Sequence, residues 1–480
     1  MNIAHLRRNM KSFVTVLILH VLVYRAPLLG ADPKASQQAH RDPASTTAAP
    51  GAQRASGAPR VPDPREGAQP GPRGSAQEAS AKEILEEKYT LASLVEMALK
   101  NSELVSAGKS GAEEARYLAI AAKAWPNPQG SFSWGKKTAA GLEGPLIESV
   151  LSQPFLFPGK LSLRGAISDL DAEMAGLKAR QIEILLIAEV VRLAYEYAVN
   201  RQKQNFAEER RRRLDLVKSY LEGHAFVSPQ KKAERRVVES RLRSLVAENL
   251  EIEAALKASL ERLKLYVAWR ETPHFHIEVP WFKGERPLDS EVWQTNAQEQ
   301  NPEFAGQKLL VARVQKEKKL ARKEAWPDFE ASAFWGRETA DETERKAGLG
   351  LSLPLPLFNR NRGNILSLEK KLDAQEKLLR FQNKELLSRV RSLVAQIEAS
   401  RQIIRQYPLS LIADLERDLK EGDDGFRKGQ MDLLLFLELD NEIAETFHRA
   451  WEVQKLMADQ LAELFVLSGQ NNMVAGIEGF

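Results

Sequence analysis

Between residues 347 and 357 the chain alternates. Leu349, Leu351, Leu353, Leu355 and Leu357 take every second position, with Gly348, Gly350, Ser352, Pro354 and Pro356 between them. A period of two with one all-Leu face predicts a β-strand whose one side lies against an apolar medium. The two prolines argue against a central strand of a soluble sheet and suit a strand that is ending. A polar turn, Glu338 to Arg345, and an earlier strand near 328–337 complete a hairpin over 328–357. The same order occurs upstream: a strand near 129–137, a polar turn from Lys137 to Gly144 and a return strand give a hairpin over 129–157.

After each hairpin the period changes to seven. Leu170, Leu177, Ile184, Val191 and Ala198 form one series, and Ile365, Leu372, Leu379, Leu386 and Leu393 the other. This is coiled-coil spacing, and it predicts long helices over 161–222 and 364–425 with charged or small residues on the faces toward water. Gly223 and Gly429 suit the turns that end them. Return helices follow over 229–268 and 432–469. Helices of this length need lateral neighbours to persist.

The two halves are copies. Trp125, Pro126, Ser131, Trp134, Gly135 and Thr138 recur as Trp326, Pro327, Ser332, Trp335, Gly336 and Thr339, in a chain with eight Trp. Asn101 to Leu104 is matched by Asn301 to Phe304, Leu151 to Lys160 by Leu353 to Arg362, and Tyr220 to Gly223 by Phe426 to Gly429. Such a period is far longer than that of a solenoid and indicates a two-unit architecture. The expected organisation is repeat one over 83–271, a linker over 272–289 packed at the waist, repeat two over 290–470 and a tail over 471–480.

The first residues differ in kind. Arg7, Arg8 and Lys11 precede an apolar run from Phe13 to Tyr24, with small residues near Ala26, Gly30 and Ala31. This describes a secretory signal peptide over 1–31, too short to span a membrane comfortably. Ala31 stands where a lipoprotein box would carry Cys, so no lipid anchor is expected. Residues 32–82 are rich in Ala, Pro, Gly, Ser, Gln and Arg, which predicts a disordered linker.

Composition narrows the chemistry. The absence of Cys removes disulfides, thiolate metal sites and Cys nucleophiles. A net charge of +4 over 480 residues gives no case for nucleic acid. No phosphate loop and no nucleophile–base arrangement can be assembled, so no enzyme and no cofactor are expected. His274 and His276 share a strand face with Glu278, but no further ligand completes a shell, and a structural role is expected rather than a metal site. The run Glu208 to Arg213 reads as a solvated helix surface near the tip.

Two hairpins give four strands, and four strands cannot close a barrel; an open sheet edge is excluded from lipid. Membrane-embedded hairpins must therefore be pooled between copies, with Trp134 and Trp335 suited to the membrane–water interface and Leu349, Leu351, Leu353 and Leu355 to the lipid face. At this point the chain resembles the outer membrane efflux factors, the TolC-like channels of tripartite exporters. The carriers are Asn101 to Leu104, Asn127 with Pro128, Gln153 to Lys160, Pro356 to Gly363, and the Gly223 and Gly429 turns.

The resemblance implies a mainly α fold with transmembrane β: two repeats that trimerise into a 12-stranded β-barrel continued by a periplasmic α-helical barrel. It implies a homotrimer in the outer membrane of a Gram-negative cell, a periplasmic adaptor and an inner membrane pump such as an RND-type transporter. Gly223, His224, Ser228, Gly429, Gln430 and Asp432 match the tips that dock the adaptor. Glu438 matches one acidic position of the family's constriction, Leu435 departs from the other, and Asp432 and Asp440 lie nearby. The Asn-Pro pair with the Gln153 to Lys160 stretch looks closest to the heavy-metal (Czc/Cus-type) cation-efflux branch. Drug efflux and type I secretion are alternatives within this class, and an exported periplasmic coiled-coil scaffold without a pore is the alternative outside it.

Overall fold

The longest helix organises the chain. In a computed structural model that describes residues 87–139, 141–223, 228–267, 275–339 and 342–480, one helix runs unbroken from Lys160 to Gly223. Its 64 residues reach about 96 Å. The signal segment 1–31, the linker 32–82, His224 and His274 lie outside the described residues.

Repeat one begins with β1 (Glu87–Thr90), α1 (Leu91–Asn101) and α2 (Glu103–Ala122). The hairpin β2 (Gln129–Ala139) and β3 (Leu142–Phe155) follows, then the long α3 (Lys160–Gly223) and the return helix α4 (Pro229–Val267). A short β4 (Phe275–Glu278) opens the link to repeat two. That repeat comprises α5 (Ser290–Gln300), α6 (Pro302–Glu324), β5 (Phe329–Thr339), β6 (Thr343–Ser352), α7 (Arg362–Gln406), α8 (Leu409–Arg427) and α9 (Leu433–Ser468). A last helix, α10, covers Met473–Glu478.

Three features differ from the sequence expectation. The second long helix is two helices: α7 stops at Gln406, and Tyr407 leaves the helical region with φ −122° and ψ 62°. Pro408 causes this, because it has no N–H to donate and its ring disfavours helical geometry in the residue before it. The Leu-rich strand stops at Ser352, so Leu353 and Leu355 lie beyond β6. Pro354 and Pro356 end the ladder for the same lack of donors. The C-terminal tail, to which the sequence reading assigns no element, is helical over Met473–Glu478, with Met473 and Ile477 buried.

The heptad series marks where the core lies. Ile184, Val191 and Ala198 are buried, whereas Leu170 and Leu177, nearer the sheet, are half-buried. Leu386 and Leu393 are buried in the same way, and Ile365, Leu372 and Leu379 are half-buried. The largest core therefore sits midway along the helices, where Leu94, Val190, Leu193, Val390, Ile397, Met457 and Leu461 meet. α3 is the hub, with α2, α4, α6 and α9 all packed on it.

At this waist the segment after β4 is strapped across the helices. β4 pairs in parallel with β1, His276 opposite Lys88. Beyond it, the Phe282 ring stacks on Tyr195 at 5.3 Å. The Tyr195 hydroxyl donates to the Pro280 carbonyl at 2.5 Å. Burial, reinforced by the Glu478 carboxylate, pushes the phenol's pKa up and keeps it a donor. The Gln454 amide accepts from Phe282 N at 2.8 Å and donates to Phe282 O at 2.9 Å. Arg401 and Arg405 both donate to the Gly284 carbonyl, at 3.1 and 2.8 Å. Buried main-chain groups thus find side-chain partners where no sheet supplies them.

Gln454→Leu strands both main-chain groups of Phe282. The expected cost is about 1–3 kcal/mol per stranded group. Hydrogen exchange should show residues 279–285 losing protection before the helical core does; equal protection in variant and parent would show that the strap does not depend on this amide.

Candidate channel wall and helical tips

The four hairpin strands form one antiparallel sheet in the order β2-β3-β5-β6. Its register sorts the side chains. Leu349 stands opposite Ala333, Leu351 opposite Ala331 and Ala347 opposite Trp335. Across the next ladder Trp335 faces Ser149, Ala333 faces Leu151 and Phe329 faces Phe155. In the last ladder Ile147 faces Trp134 and Ser149 faces Phe132. Opposed residues share a face. One face is thus built from Trp134, Phe132, Ile147, Leu151, Phe155, Trp335, Phe329, Leu349, Leu351 and the small Ala331, Ala333 and Ala347.

The other face carries Ser131, Ser133, Lys137, Glu148, Ser152, Glu330, Ser332, Glu338 and Lys346. Phe334, Leu146 and Val150 are its apolar exceptions, and the Phe334 ring lies over Gly348, where a Cβ would come within 2.6 Å. Glu338 accepts from Lys137 at 2.9 Å and from Lys346 at 2.5 Å, so these three charges are paired with one another.

The apolar face is uncovered. Trp134 is 85% exposed, Leu349 87% and Leu351 72%. No soluble sheet gains by presenting such a face to water. The strands hold 11, 14, 11 and 10 residues. A membrane-crossing strand needs about 9–11 residues, so each is long enough to span a bilayer. Among the described residues no helix is long and apolar enough to cross a membrane, and β2 and β6 each present one unpaired edge.

The feet of the hairpins are fastened where sheet meets helix. Both corners turn through a left-handed residue, Gly159 at φ 91° and Asn361 at φ 57°. These are equivalent positions of the two repeats, and glycine and asparagine tolerate that conformation best. Lys160 is 4% exposed and donates to Asp328 at 2.8 Å and to the Trp326 carbonyl at 2.7 Å. Asp328 also accepts from Phe157 N at 2.6 Å, and Phe157 stacks on Trp326 at 5.5 Å. Repeat one's corner is thereby locked to repeat two's first strand.

At the far end, Gly429 sits at φ 70°, with Gln430 N donating to the Gly425 carbonyl at 2.8 Å. This closes α8 by a left-handed glycine turn. Asp432 caps α9 by accepting from Leu434 N at 3.2 Å. Ser228 caps α4 by accepting from Lys231 N at 3.2 Å. Gly223 is exposed at the end of α3. The repeat-equivalent rings of Tyr220 and Phe426 meet edge to face at 5.7 Å, within a small core of Leu214, Val217, Leu221, Leu433 and Phe436.

The three carboxylates expected near the constriction separate. Glu438 is exposed, beside exposed Leu434 and Leu435. Asp432 serves as the helix cap. Asp440 is turned inward and is 1% exposed. It accepts from Arg210 at 2.6 Å and from Arg213 at 3.4 Å. Arg210 is itself 5% exposed and Arg213 half-buried, so the run Glu208 to Arg213 is a solvated surface at Glu208, Glu209, Arg211 and Arg212 and turns inward at these two arginines. Arg241 adds a hydrogen bond to the neighbouring Asn441. Farther along α9, His448 lies 3.4 Å from Glu248; burial holds its pKa below the usual value, against the pull of that carboxylate. Among the described residues no group of three or more His, Asp or Glu side chains is placed to hold a metal ion.

Asp440→Ala leaves two arginines facing each other without an anion. Breaking a buried pair in this way costs about 3–5 kcal/mol, whereas replacing the fully buried pair, Asp440 with Arg210, by apolar residues is nearly neutral, the less buried Arg213 keeping its place over the Phe206 ring. Amide protection of 214–221 and 433–437 should fall in Asp440→Ala and recover in Asp440→Leu/Arg210→Met. Loss in both variants would mean that the site needs its charges.

Residues 293–470 match the family model described as outer membrane efflux protein. No curated protein matches the chain by sequence. Among solved structures, CusC aligns at 15% identity and TM-score 0.65, over 79% of this chain and 92% of that one. The outer membrane channel CmeC of Campylobacter jejuni aligns at 14% and 0.66, over 79% and 85%. The open MtrE outer membrane channel of Neisseria gonorrhoeae aligns at 13% and 0.64, over 79% and 89%. The described chain has the fold of outer membrane efflux channels, and its second repeat carries the family's sequence pattern.

Proposed function

We propose that this protein is the outer membrane channel subunit of a tripartite efflux system. Three copies pool their hairpins into a twelve-stranded barrel and their long helices into a periplasmic tunnel. The duct is passive: an inner membrane pump supplies the energy, and a periplasmic adaptor joins the two at the tips formed by Gly223, Ser228, Gly429, Gln430 and Asp432. One observation carries this reading: a four-stranded sheet with two unpaired edges, an exposed apolar face and a polar face, in strands long enough to span a bilayer. Water on one side and lipid on the other is the arrangement that this division of side chains suits.

The cargo class rests on sequence. The Asn127–Pro128 pair with the Gln153 to Lys160 stretch supports heavy-metal cations, and drugs or polypeptides are the competing cargoes. Of the three carboxylates expected near the constriction, Glu438 is the one that is neither a helix cap nor ion-paired; three symmetric copies would gather three such groups around one axis, a ring that favours cations.

Purified protein should run as a heat-modifiable trimer and give steady conductance in planar bilayers. Divalent cations should block that conductance, and Glu438→Ala should weaken the block severalfold. A monomer without conductance would overturn the channel; unchanged block would remove Glu438 from the constriction and leave the channel standing.

A further inference from the structure

The apolar face of the sheet changes chemistry toward the hairpin tips. Two residues beyond Trp335 comes Arg337, and two residues before Ala347 comes Arg345. They stand directly opposite each other in the β5–β6 ladder, on the same face as Leu349 and Leu351. Both are exposed. Like charges directly opposed across an antiparallel pair repel and weaken it. Among the described residues neither arginine has an ion pair or ring contact to offset this.

The acidic residues adjoining the arginines in the two strands point away. Glu338 and Glu344 each adjoin one of the arginines, and alternation sends both to the polar face, where Glu338 is taken by Lys137 and Lys346. Lys136 shares the arginines' face, and there Glu143 meets it at 3.2 Å. Among the described residues, the outward arginine pair is therefore left without an anion. Two forked guanidinium groups side by side match the geometry of phosphate oxygens, which they bind bidentately. Along β5 and β6 the order on this face is apolar band, Trp335, then cations, and Trp134 stands in the row of the arginines, across Ile147 from Arg337. That is the order in which a leaflet presents acyl chains, interface and headgroups.

We propose that Arg337 and Arg345 bind the phosphate groups of an acylated, phosphorylated amphiphile in the leaflet around the hairpin tips, with its acyl chains against Trp335, Leu349 and Leu351. This rests on the reading that the sheet is membrane-embedded. The bound phosphate replaces the missing counter-ion, relieves the repulsion between β5 and β6, and fixes the height of the sheet in the membrane.

The test uses the full-length protein in detergent, with native mass spectrometry as readout. The probes are a bis-phosphorylated, hexa-acylated glucosamine disaccharide lipid and the same lipid after phosphatase treatment. The phosphorylated form should bind at least tenfold tighter. Arg337→Gln/Arg345→Gln should abolish that preference, Arg345→Gln alone should give an intermediate value, and Arg337→Lys/Arg345→Lys should keep part of it. Millimolar inorganic phosphate should not displace the lipid. Equal binding of the two lipids, an unchanged preference in the double glutamine variant, or displacement by inorganic phosphate each overturns the proposal. Flotation with phospholipid liposomes, scored separately, should be equal for parent and variants; a parent protein that does not float overturns the membrane reading itself and the lipid site with it.

Discussion

A β-strand leaves its backbone donors and acceptors open on any side without a neighbour. In the four-stranded sheet those open rows lie on β2 and β6, and the sheet carries its apolar residues outward instead of over a core. In water such an edge invites aggregation; in lipid it is excluded, because nothing there can hydrogen-bond it. Both difficulties vanish together if the outward face meets lipid and the edges meet further copies of the same sheet. The helices follow from this, since pooled strands bring the helices beneath them to one axis.

The sheet and helices are joined by devices that appear once per repeat but are not equivalent. Gly159 and Asn361 turn the two corners, yet only the first is followed by a buried lysine, Lys160, reaching across to Asp328. At the tips Tyr220 and Phe426 meet as equals, while the buried charge cluster is one-sided, with arginines from α3 and the carboxylate from α9. Pro408 breaks only the second long helix. The duplication thus supplies a common frame, and the differences between copies fasten one to the other.

The hairpins and long helices were legible because their periods are clean. Alternating leucines and the duplicated Trp-Pro motif need no tertiary information to be read. The break at Tyr407 was also announced by Pro408, but the strong heptads on its N-terminal side carried the expectation through it. The inward turn of Asp440 was readable in retrospect. It falls on the apolar stripe of Leu433, Phe436, Leu437, Ala444 and Phe447, where a carboxylate needs a cationic partner. Arg210 lies on the matching stripe with Phe206, Leu214, Val217 and Leu221. A charge run hides this, because only its helical phase separates inward from outward residues. The opposed arginines of the sheet could not be read from sequence, since alternation gives the face but not the register between strands.

The absence of cysteine gives direct access to the central claim, that one face of the sheet meets lipid and the other meets water. Single cysteines placed in turn along 330–335 and 347–351 can be labelled in reconstituted vesicles with a membrane-impermeant maleimide, then with a lipid-soluble one. Positions 331, 333, 335, 347, 349 and 351 should react with the lipid-soluble reagent alone, and 330, 332, 334, 348 and 350 with the aqueous one. Uniform aqueous labelling, without the period of two, would contradict the account.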